Sequence, residues 1–478
     1  MVAYNASSTL RSVLARITPE FRPRVAAVLV SDDHSADDTY EVGLEVQREE
    51  AGLSITVVRQ PRNLGYGGNQ KFGYRWAIDH GFDIVVMLHG DGQYAPEMLA
   101  DIVAPIEAGE ADVVMGSRLL TAGAARQGGM PLYKLVGNRI LTRFQNAVSG
   151  LHLSEWHSGY RAFSTDALAR IPFSQNSDGF DFDTEVLLQL HDSGARVAEV
   201  PIPTYYGDEI CYVDGVRYAR DVVADVLRYR LQRIGFGSET LAVGTSGYER
   251  KPDELSSHSR LLEWIGARPP GRALDLGCAD GSIALDMRAV GHDVTGVDVV
   301  ASPEVKERVD RFVEADLDRG LPAEVKDAEP YDLVVAADVL EHVRQPDAIL
   351  RELHDVLAPG GRLLVSVPNF GHWYPRLRVA SGRFDYDRRG ILDEGHVRFF
   401  TRRSFARVLH RTGWHVLQAD VTGLPFDVAD RGGTGGLAAS LKTSIGRVDA
   451  LGVRARPTLF GYQLLYELEP AQGALPER

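Results

Sequence analysis

The stretch GFGSETLAVGTSGYERKPDELSSH, residues 235–258, is polar and rich in glycine and serine, and it shows neither helical nor strand periodicity. It separates two long regions in which apolar runs alternate with turns, and this pattern predicts a linker. A chain of 478 residues is long for one hydrophobic core, since domains usually have roughly 100 to 200 residues. We therefore predict an α/β protein of two domains, 1–234 and 259–470, with a linker at 235–258 and a tail at 471–478.

The composition narrows the classes of partner and compartment. A formal net charge of −14 disfavours nonspecific binding to nucleic acid, and the two cysteines, Cys211 and Cys278, lack the spacing of a disulfide framework or a zinc site. No apolar run approaches the roughly 18 to 20 residues that cross a bilayer, and no signal-peptide pattern opens the chain. We expect a cytoplasmic protein, soluble or peripheral at the inner face of the membrane, with no nucleic-acid partner.

The first region opens with an unusually short strand. Only residues 2–4 can be extended before Asn5 and Ser7, which we expect to cap a helix at 8–16. One hypothesis is that further residues of this strand lie upstream of Met1. An upstream region without in-frame coding sequence would refute it.

Acidic side chains follow the next predicted strand, a continuous apolar run at 25–30 that is typical of a strand buried on both faces. Ligands of open α/β sheets bind at the carboxyl ends of parallel strands, where Asp32 and Asp33 can accept hydrogen bonds from a base or a ribose. An acidic cap for the following helix explains the same loop equally well.

Two further turns carry the remaining signals of this region. The turn RNLGYGGN at 62–69, after a predicted strand at 54–59, has three glycines in four positions, which let the backbone approach a ligand closely. The predicted strand at 84–88 delivers His89, Asp91 and Gln93. A carboxylate and an amide oxygen two residues apart can both face a divalent cation that bridges diphosphate oxygens.

Together these turns resemble those of family 2 glycosyltransferases, and in particular the synthases that load a sugar onto a polyprenyl phosphate. The similarity extends to GSR at 116–118 and SGYR at 158–161, although His89 replaces the first aspartate of the family's Asp-x-Asp turn and Ala6 stands where a glutamate is common. The resemblance implies a GT-A domain, Rossmann-like with a mixed sheet, that binds Mg²⁺ or Mn²⁺ through Asp91, Gln93 and His89. It implies nucleotide-sugar contacts from Tyr4, Asp32, Asp33, Asn63, Gly65, His89 and Asp91.

Catalysis by such a domain requires stabilisation of the diphosphate that leaves the anomeric carbon. Besides Asp91, we predict Arg118 and Arg161 as catalytic residues, with Arg139 as a further candidate for phosphate contact. Guanidinium forks match phosphate oxygens, and a surface ion pair is the alternative role for each of these arginines.

The acceptor of the sugar stays open at the level of sequence. A phosphate acceptor is already an anion, whereas a hydroxyl acceptor needs a base, for which the candidates are Glu155, His157 and Asp181. The predicted amphipathic helix at 215–234 either packs on its own domain or lies on an anionic membrane surface.

The second region begins, after a predicted helix at 261–266, with the strand and turn ALDLGCADG at 273–281. Three more predicted strands follow, and each ends in an acidic residue: Asp298, Asp316 and Asp338. This order resembles class I S-adenosylmethionine-dependent methyltransferases over about 261–467, which implies a seven-stranded Rossmann-like sheet. A dehydrogenase is disfavoured because the turn lacks the third glycine of GxGxxG at its usual spacing.

The same resemblance assigns contacts with S-adenosylmethionine. It implies that the turn approaches the methionine part of the cofactor, that Asp298 holds the ribose hydroxyls and that Asp316 with Leu317 frames the adenine. Ala279 takes a position that is often glycine. The full set of implied contacts is Asp275, Gly277, Cys278, Gly281, Asp298, Asp316, Leu317 and Asp338.

The acceptor side of the second region has weaker signals. We predict that His342, just after a strand end, is the base that removes a proton from a hydroxyl acceptor, while Glu341 and His342 as the start of a helix is the competing interpretation. Residues 369–394 contain several aromatic side chains and form either a lid over the acceptor or ordinary packing. Thr401 is expected to cap the following helix.

The leading interpretation is a bifunctional enzyme. One domain transfers a sugar, with inversion and with a metal ion, from a nucleotide diphosphate sugar to a polyprenyl phosphate or a glycan, and the other methylates a glycan or related acceptor. The alternative is a methyltransferase whose first domain is a degenerate, non-catalytic module that binds a sugar nucleotide or a lipid phosphate. His89 in place of aspartate motivates this alternative.

Overall fold

The structure, a computed structural model, describes residues 1–204, 214–233, 237, 241–243, 257–387, 390–424 and 449–471. The chain divides into two compact units, Met1–Gln232 with Glu239–Thr245, and Arg233–Ser238 with Ser246–Arg478. Most of the predicted linker and tail, and Cys211, lie outside the described residues. The domain bounds drawn from the sequence therefore stay predictions.

Among its described residues, the first unit has seven strands in two sheets. They are β1 Val2–Ala3, β2 Val28–Asp32, β3 Ile55–Arg59, β4 Ile84–Met87, β5 Val113–Ser117, β6 Arg161–Ser164 and β7 Val197–Pro201. Strands β1, β2 and β3 are parallel, whereas β6 runs antiparallel between β4 and β5, and β7 pairs parallel with β5. A bridge between Val2 and His89 connects β1 to the end of β4. The predicted mixed sheet is confirmed.

Nine helices of the first unit have defined bounds among the described residues. They are α1 Leu10–Ala15, α2 Thr39–Glu49, α3 Tyr66–Asp79, α4 Leu99–Glu107, α5 Ala124–Gln127, α6 Leu132–Ser149, α7 Thr165–Ala169, α8 Phe182–Asp192 and α9 Gly215–Arg233. Helix α9 buries Val222, Val226 and Tyr229, whereas its apolar residues Val216, Leu227 and Leu231 are exposed, so the predicted apolar stripe matches the buried face only in part.

Two local predictions for the first unit were wrong. Strand β2 begins at Val28, after a short 3₁₀ turn at Arg22–Arg24, so Asp32 lies within the strand rather than beyond it. Asn5 and Ser7 do not cap α1, whose N-cap position is Thr9. Instead the Asn5 Oδ1 accepts a hydrogen bond from the Ala36 amide at 2.9 Å, which fastens the first turn to the acidic loop.

The second unit is built on one seven-stranded sheet, as predicted. Its strands are β8 Arg272–Leu276, β9 Asp293–Asp298, β10 Arg311–Glu314, β11 Tyr331–Ala337, β12 Leu357–Pro368, β13 Trp414–Thr422 and β14 Gln463–Pro470. The order is β10-β9-β8-β11-β12-β14-β13, in which only β14 runs antiparallel to its neighbours. The carboxyl ends of β8 to β11 therefore lie side by side at one edge, where ligands of such sheets bind.

Helices alternate with most of these strands along the chain. Those with defined bounds are α10 Ser257–Gly266, α11 Ser282–Ala289, α12 Pro303–Arg308, α13 Ala323–Lys326, α14 Pro346–Val356, α15 Trp373–Ala380, α16 Arg402–Arg411 and α17 Pro457–Phe460. Helix α10 begins at Ser257, earlier than predicted. Thr401 caps α16 in a reciprocal pair with Ser404, which confirms that prediction. Within the described residues, none of the helices is long and apolar enough to cross a bilayer.

Candidate active sites

Asp32 is the most deeply buried acid at the sheet edge of the first unit. Its Oδ1 accepts hydrogen bonds from the amide of Ser35, at 3.2 Å, and from the Ser35 hydroxyl. Its Oδ2 has no hydrogen-bond partner among the described residues and lies 3.5 Å from the Arg59 Nε. A buried acceptor without a donor is costly unless a ligand supplies one, so this oxygen suits the N–H or hydroxyl of a nucleoside.

Asp33, although adjacent, has a different environment. Its two carboxylate oxygens accept the amides of Leu64 at 2.7 Å and Gly65 at 3.1 Å. Burial raises the pKa of the Asp33 carboxyl in spite of these bonds. Asn63 completes the arrangement, because its Nδ2 donates to the Asp33 carbonyl oxygen at 3.2 Å. Asp33 and Asn63 therefore brace the glycine-rich turn from within.

At the glycines of that turn, other residues of the protein lie where a side chain would be. Gly65 has a φ of 81°, and a Cβ at this position would lie 2.6 Å from the carbonyl oxygen of Asp178. A Cβ at Gly67 would lie 2.6 Å from the Ser177 carbonyl oxygen, and the Gly67 amide donates to the Asp178 oxygen at 2.8 Å. The segment that precedes α8 therefore occupies the space that a side chain at Gly65 or Gly67 would take.

The turn after β4 carries the candidate metal ligands. The Asp91 Oδ1 accepts the Gln93 amide at 3.0 Å, and its Oδ2 lies 3.7 Å from the His89 Nδ1. Burial would raise the pKa of the Asp91 carboxyl, but the hydrogen bond and charge of His89 outweigh it and hold that pKa below its usual range. Asp91 is 42% exposed, and a carboxylate has about four lone-pair sites, so it keeps capacity for a cation.

His89 lies in a polar network that sequence reasoning missed. The His89 Nε2 is 3.2 Å from the Tyr66 hydroxyl, which donates to the Asp183 Oδ2 at 3.1 Å. A Cβ on Gly159 would lie 2.7 Å from both the His89 Nε2 and the Tyr66 hydroxyl, so only glycine fits there. The Gly159 amide also donates to the Tyr94 hydroxyl at 2.7 Å. The two tyrosines were not predictable, since nothing in their spacing relates them to residue 159.

The edge of the second unit is formed by a strained turn. The turn after β8 contains three positive φ angles, at Gly277 (63°), Ala279 (48°) and Gly281 (78°). The Ala279 amide donates to the Asp298 Oδ2 at 2.9 Å, and the Val300 amide donates to the Asp298 Oδ1 at 3.3 Å. Each carboxylate oxygen of Asp298 retains a lone pair, which fits two donated ribose hydroxyls.

Some of the other residues implied to contact the cofactor are buried below the turn, and others lie at the edge of the sheet. Asp275 and Cys278 are buried beneath the turn, and burial raises the pKa of Asp275 to about 8, to which the nearby Asp298 charge adds. Leu317 packs into the main core of the unit, while Asp316 accepts the Asp318 amide at 3.0 Å.

Asp338 follows β11 at the same edge. It has a φ of 56°, and its carboxylate accepts the Ser366 hydroxyl and the Gln463 amide side chain, both at 2.6 Å. These bonds fix its side chain against the neighbouring strands β12 and β14. Asp298, Asp316 and Asp338 thus lie at the ends of β9, β10 and β11, three of the four strands whose carboxyl ends share this edge.

Comparisons with known proteins match this division. Residues 1–171 match the model of glycosyl transferase family 2, and residues 249–419 match the model of a methyltransferase domain. The chain is 28% identical over 214 residues to the UDP-N-acetylglucosamine–dolichyl-phosphate N-acetylglucosaminyltransferase of Methanococcus voltae, covering 43% of this chain and 83% of that one. It is 28% identical to the polyprenol monophosphomannose synthase of Mycolicibacterium smegmatis, covering 42% and 73%. It is 32% identical over 184 residues to the ubiquinone biosynthesis O-methyltransferase of Aeromonas salmonicida, covering 34% and 72%.

The chain belongs to the methyltransferases, and its N-terminal residues match glycosyl transferase family 2. It joins a family 2 glycosyltransferase domain to an S-adenosylmethionine-dependent methyltransferase domain, and it is an enzyme of both kinds.

Arg161 of the glycosyltransferase domain is fully buried. Its guanidinium donates to the carbonyl oxygens of Ser158, Asp183 and Trp156, at 2.8, 2.7 and 2.8 Å. These bonds engage all three guanidinium nitrogens with the domain's own backbone. The predicted catalytic role conflicts with this placement, and we assign Arg161 to the support of the 158–161 segment.

Of the other two arginines predicted to contact phosphate, Arg118 is paired within the domain and Arg139 is exposed. The Arg118 Nε donates to the Glu155 Oε1 at 3.0 Å, and its backbone amide donates to the Glu155 Oε2 at 2.7 Å. Arg118 is largely buried by this pair. Arg139 lies exposed on α6.

Each of the three candidate bases of the glycosyltransferase domain has a polar partner within the domain. Burial would raise the pKa of Glu155, but the Arg118 guanidinium holds it below its usual range. Burial lowers the pKa of His157 to about 4, and its Nδ1 lies 2.8 Å from the Tyr218 hydroxyl. Asp181 accepts the Ser177 hydroxyl at 2.8 Å and occupies the N-cap position of α8.

The predicted acceptor side of the methyltransferase domain contains His342 and the residues of the predicted lid. His342 is exposed, and its Nδ1 lies 3.0 Å from the Gly395 carbonyl oxygen. Within the predicted lid, Tyr374 donates to the Asp387 Oδ2 at 2.8 Å and so braces the segment. Phe384 and Tyr386 lie with ring centroids 5.9 Å apart and are each about half exposed.

Proposed function

We propose that the glycosyltransferase domain transfers a sugar, with inversion at the anomeric carbon and with a divalent cation, from a nucleotide diphosphate sugar to a polyprenyl phosphate. The observation that carries this proposal is the state of the candidate bases. Glu155 is tied to Arg118, and His157 is buried with a low pKa. A phosphate acceptor needs no base because it is already an anion.

The donor side is consistent with a nucleotide diphosphate. Asp32 would accept a hydrogen bond from the nucleoside, and Asp91 with Gln93 and His89 would hold Mg²⁺ or Mn²⁺. A divalent cation there would neutralise the charge that develops on the leaving diphosphate. The names of two relatives, a dolichyl-phosphate N-acetylglucosaminyltransferase and a polyprenol monophosphomannose synthase, support the same class of acceptor.

For the methyltransferase domain we propose methylation of a hydroxyl on a glycan or a related acceptor. The bound cofactor supplies an electrophilic methyl carbon on a sulfonium. Asp298 would orient its ribose, and the turn at 277–281 would bring backbone amides close to it. The support is the O-methyltransferase relative and the fusion to a sugar transferase.

Sugar-nucleotide turnover tests the first proposal. The full chain is assayed with a panel of UDP- and GDP-sugars, an isoprenyl phosphate and Mn²⁺ or Mg²⁺, for the unmodified protein and for Asp91→Asn. Asp79→Asn, an exposed acid at the end of α3, is the matched control. We expect metal-dependent transfer that falls at least about 100-fold in Asp91→Asn and is unchanged in the control, as for loss of one electrostatic contact in a transition state.

The same assay separates the alternative of a binding module. If no donor is transferred or hydrolysed with either metal, while sugar nucleotides still bind the domain, the non-catalytic module is the correct description. Transfer to a sugar hydroxyl but not to an isoprenyl phosphate would refute the acceptor class.

A further inference from the structure

Three metal-ligating side chains of the methyltransferase domain lie close together beyond the carboxyl end of β11. Glu341, His342 and His396 offer ligand atoms that are all within 4.8 Å of one another. Glu341 is 1% exposed and His396 is 7% exposed, whereas His342 faces solvent. A mixed set of one carboxylate and two imidazoles suits first-row transition metals rather than Mg²⁺.

The backbone brings these residues together from distant parts of the chain. Glu341 and His342 follow β11, and the Glu341 carbonyl oxygen accepts the amides of Val397 and Arg398, both at 2.9 Å. This connection holds His396 against His342, with ring centroids 4.8 Å apart and planes at 73°. The arrangement is therefore part of the fold and does not depend on exposed loops alone.

Both imidazoles have the partner that metal-binding histidines usually have. The His342 Nδ1 lies 3.0 Å from the Gly395 carbonyl oxygen, and the His396 Nδ1 lies 3.2 Å from the Ile391 carbonyl oxygen. Because a carbonyl oxygen can only accept, each Nδ1 carries the proton and each Nε2 keeps its lone pair. Metal-ligating histidines are oriented by such bonds to backbone carbonyls.

The surroundings of the cluster suit a ring-bearing acceptor. Phe399 lies 6.3 Å from His396, and Phe370, Phe384 and Tyr386 lie around Phe399 at 5.0 to 6.4 Å between ring centroids. Phe384 and Tyr386 present about half of their surface to solvent. An apolar wall of this kind next to His396 would contact the ring of an acceptor.

We propose that Glu341, His342 and His396 bind one divalent transition-metal ion, with Zn²⁺ as the probe, and that this ion positions and acidifies the hydroxyl that is methylated. The inference rests on the proposed methyltransferase function. The hydroxyl loses its proton to solvent, its oxygen forms a bond to the methyl carbon and the carbon–sulfur bond breaks, with the electron pair returning to sulfur. His342 is then a ligand and not a general base.

Metal binding tests this independently of activity. The full chain is stripped with a chelator and titrated with Zn²⁺ in competition with a chromophoric chelator, and with Co²⁺, whose visible absorption reports its ligands. We expect one site to be weakened at least about 100-fold in His342→Ala, His396→Ala and Glu341→Gln, since even outer-sphere changes cost about 10- to 100-fold. His410→Ala, an exposed histidine of α16, is the matched control and should bind like the unmodified chain.

The outcomes distinguish failure of the metal site from failure of the proposed methyltransferase function. Asp91→Asn should keep this site, so a metal bound by the other domain is counted separately. His342 is exposed, so His342→Ala tests the site even where a buried variant fails to fold. Binding of S-adenosylmethionine, measured by calorimetry, should survive in His342→Ala. Unchanged Zn²⁺ affinity and Co²⁺ spectrum in that variant would overturn the metal site, whereas failure of the unmodified chain to bind S-adenosylmethionine would overturn the proposed function instead.

Discussion

In the turn after β8, two residues with positive φ differ in how closely other atoms surround them. Gly277 and Ala279 both adopt positive φ, but only Gly277 is confined, because a Cβ there would lie 2.6 Å from the Val339 Cγ2. A side chain in the left-handed region costs roughly 1 to 2 kcal/mol, part of which glycine loses again through the entropy of the unfolded chain. Glycine should therefore be favoured over alanine at both positions, and more strongly at position 277.

We expect Ala279→Gly to raise the free energy of unfolding of the methyltransferase domain by up to about 1 kcal/mol, with cofactor affinity kept. Gly277→Ala should lower it and weaken binding of S-adenosylmethionine. Denaturant unfolding and calorimetry on both variants provide the measurement. A destabilised Ala279→Gly would show that the strain at this residue is absent.

The positions of several acidic residues at these edges were predictable from the sequence, because each acidic residue directly follows an apolar run in the chain. Asp298 and Asp338 directly follow apolar strands, and their neighbours in the sheet follow from the order of strands. The role of Asp33 was not readable, since its partners Leu64 and Gly65 come from a distant turn. The pairing of Glu341 with His396 was hidden for the same reason.

At the scale of elements, the sequence located strands and helices well but not what their polar residues do. Helix α9 was predicted from its apolar stripe, yet the same helix buries Asp225 completely. Ligand atoms of Asp225, Asp181 and Glu185 lie within 4.8 Å of one another. Burial, with the charge of Glu185, raises the pKa of Asp225 to about 8. Such a shift depends on neighbours that only the fold supplies.

This shift predicts a pH dependence of stability. Between the usual pKa of an aspartate, about 4, and about 8, the folded chain holds a proton on Asp225 that the unfolded chain has lost. The stabilisation is therefore complete at low pH and falls as the pH rises towards 8, by at most about 1.4 kcal/mol per pH unit. Asp225→Asn should flatten this decline in thermal unfolding of the glycosyltransferase domain between pH 6 and 9. Asp221→Asn, an ion-paired acid on the same helix, should keep the slope, and an equal slope in both variants would contradict the assignment.

Helix α6 carries an exposed face that the sequence analysis missed. Leu132, Tyr133, Val136 and Ile140 share one side of the helix at i, i+1, i+4 and i+8, and Tyr133 and Ile140 are 73% and 60% exposed. The helix contains Lys134, Arg139 and Arg143 and no acidic residue. The lack of acidic residues in α6 was visible in the sequence. The predicted membrane contact was nevertheless assigned to residues 215–234, whose apolar stripe is partly buried.

A lipid-linked acceptor would be reached from a membrane surface, and α6 has the composition of an interfacial helix. We expect cosedimentation of the full chain with phosphatidylglycerol vesicles to weaken at least about tenfold in the double variant Tyr133→Ser with Ile140→Ser, because each buried apolar side chain contributes roughly 1.5 to 3 kcal/mol. Val216→Ser on α9, 83% exposed, is the matched control. A larger loss in the control would place the membrane contact on α9.

At the scale of the whole molecule, the division into two catalytic units was predicted because each unit has its own sequence of strands and acidic turns. The identities of the sugar, the acceptor and the methylated atom were not, since they depend on side chains that come together only in three dimensions. Within one unit, Tyr66, His89 and Gly159 illustrate this, as three separate segments meet at one point.

Two separate ligand sites predict two separate responses to ligand. A ligand at a hundredfold excess over its Kd stabilises the unit that binds it by about 2.7 kcal/mol. We therefore expect S-adenosylmethionine to raise one thermal transition of the full chain and a nucleotide diphosphate sugar to raise another. Asp298→Ala should abolish only the first shift, and Asp32→Asn only the second, because each acid belongs to one sheet edge. If either variant abolished both shifts, the two sites would share one cooperative unit, and the assignment of one donor to each domain would fail.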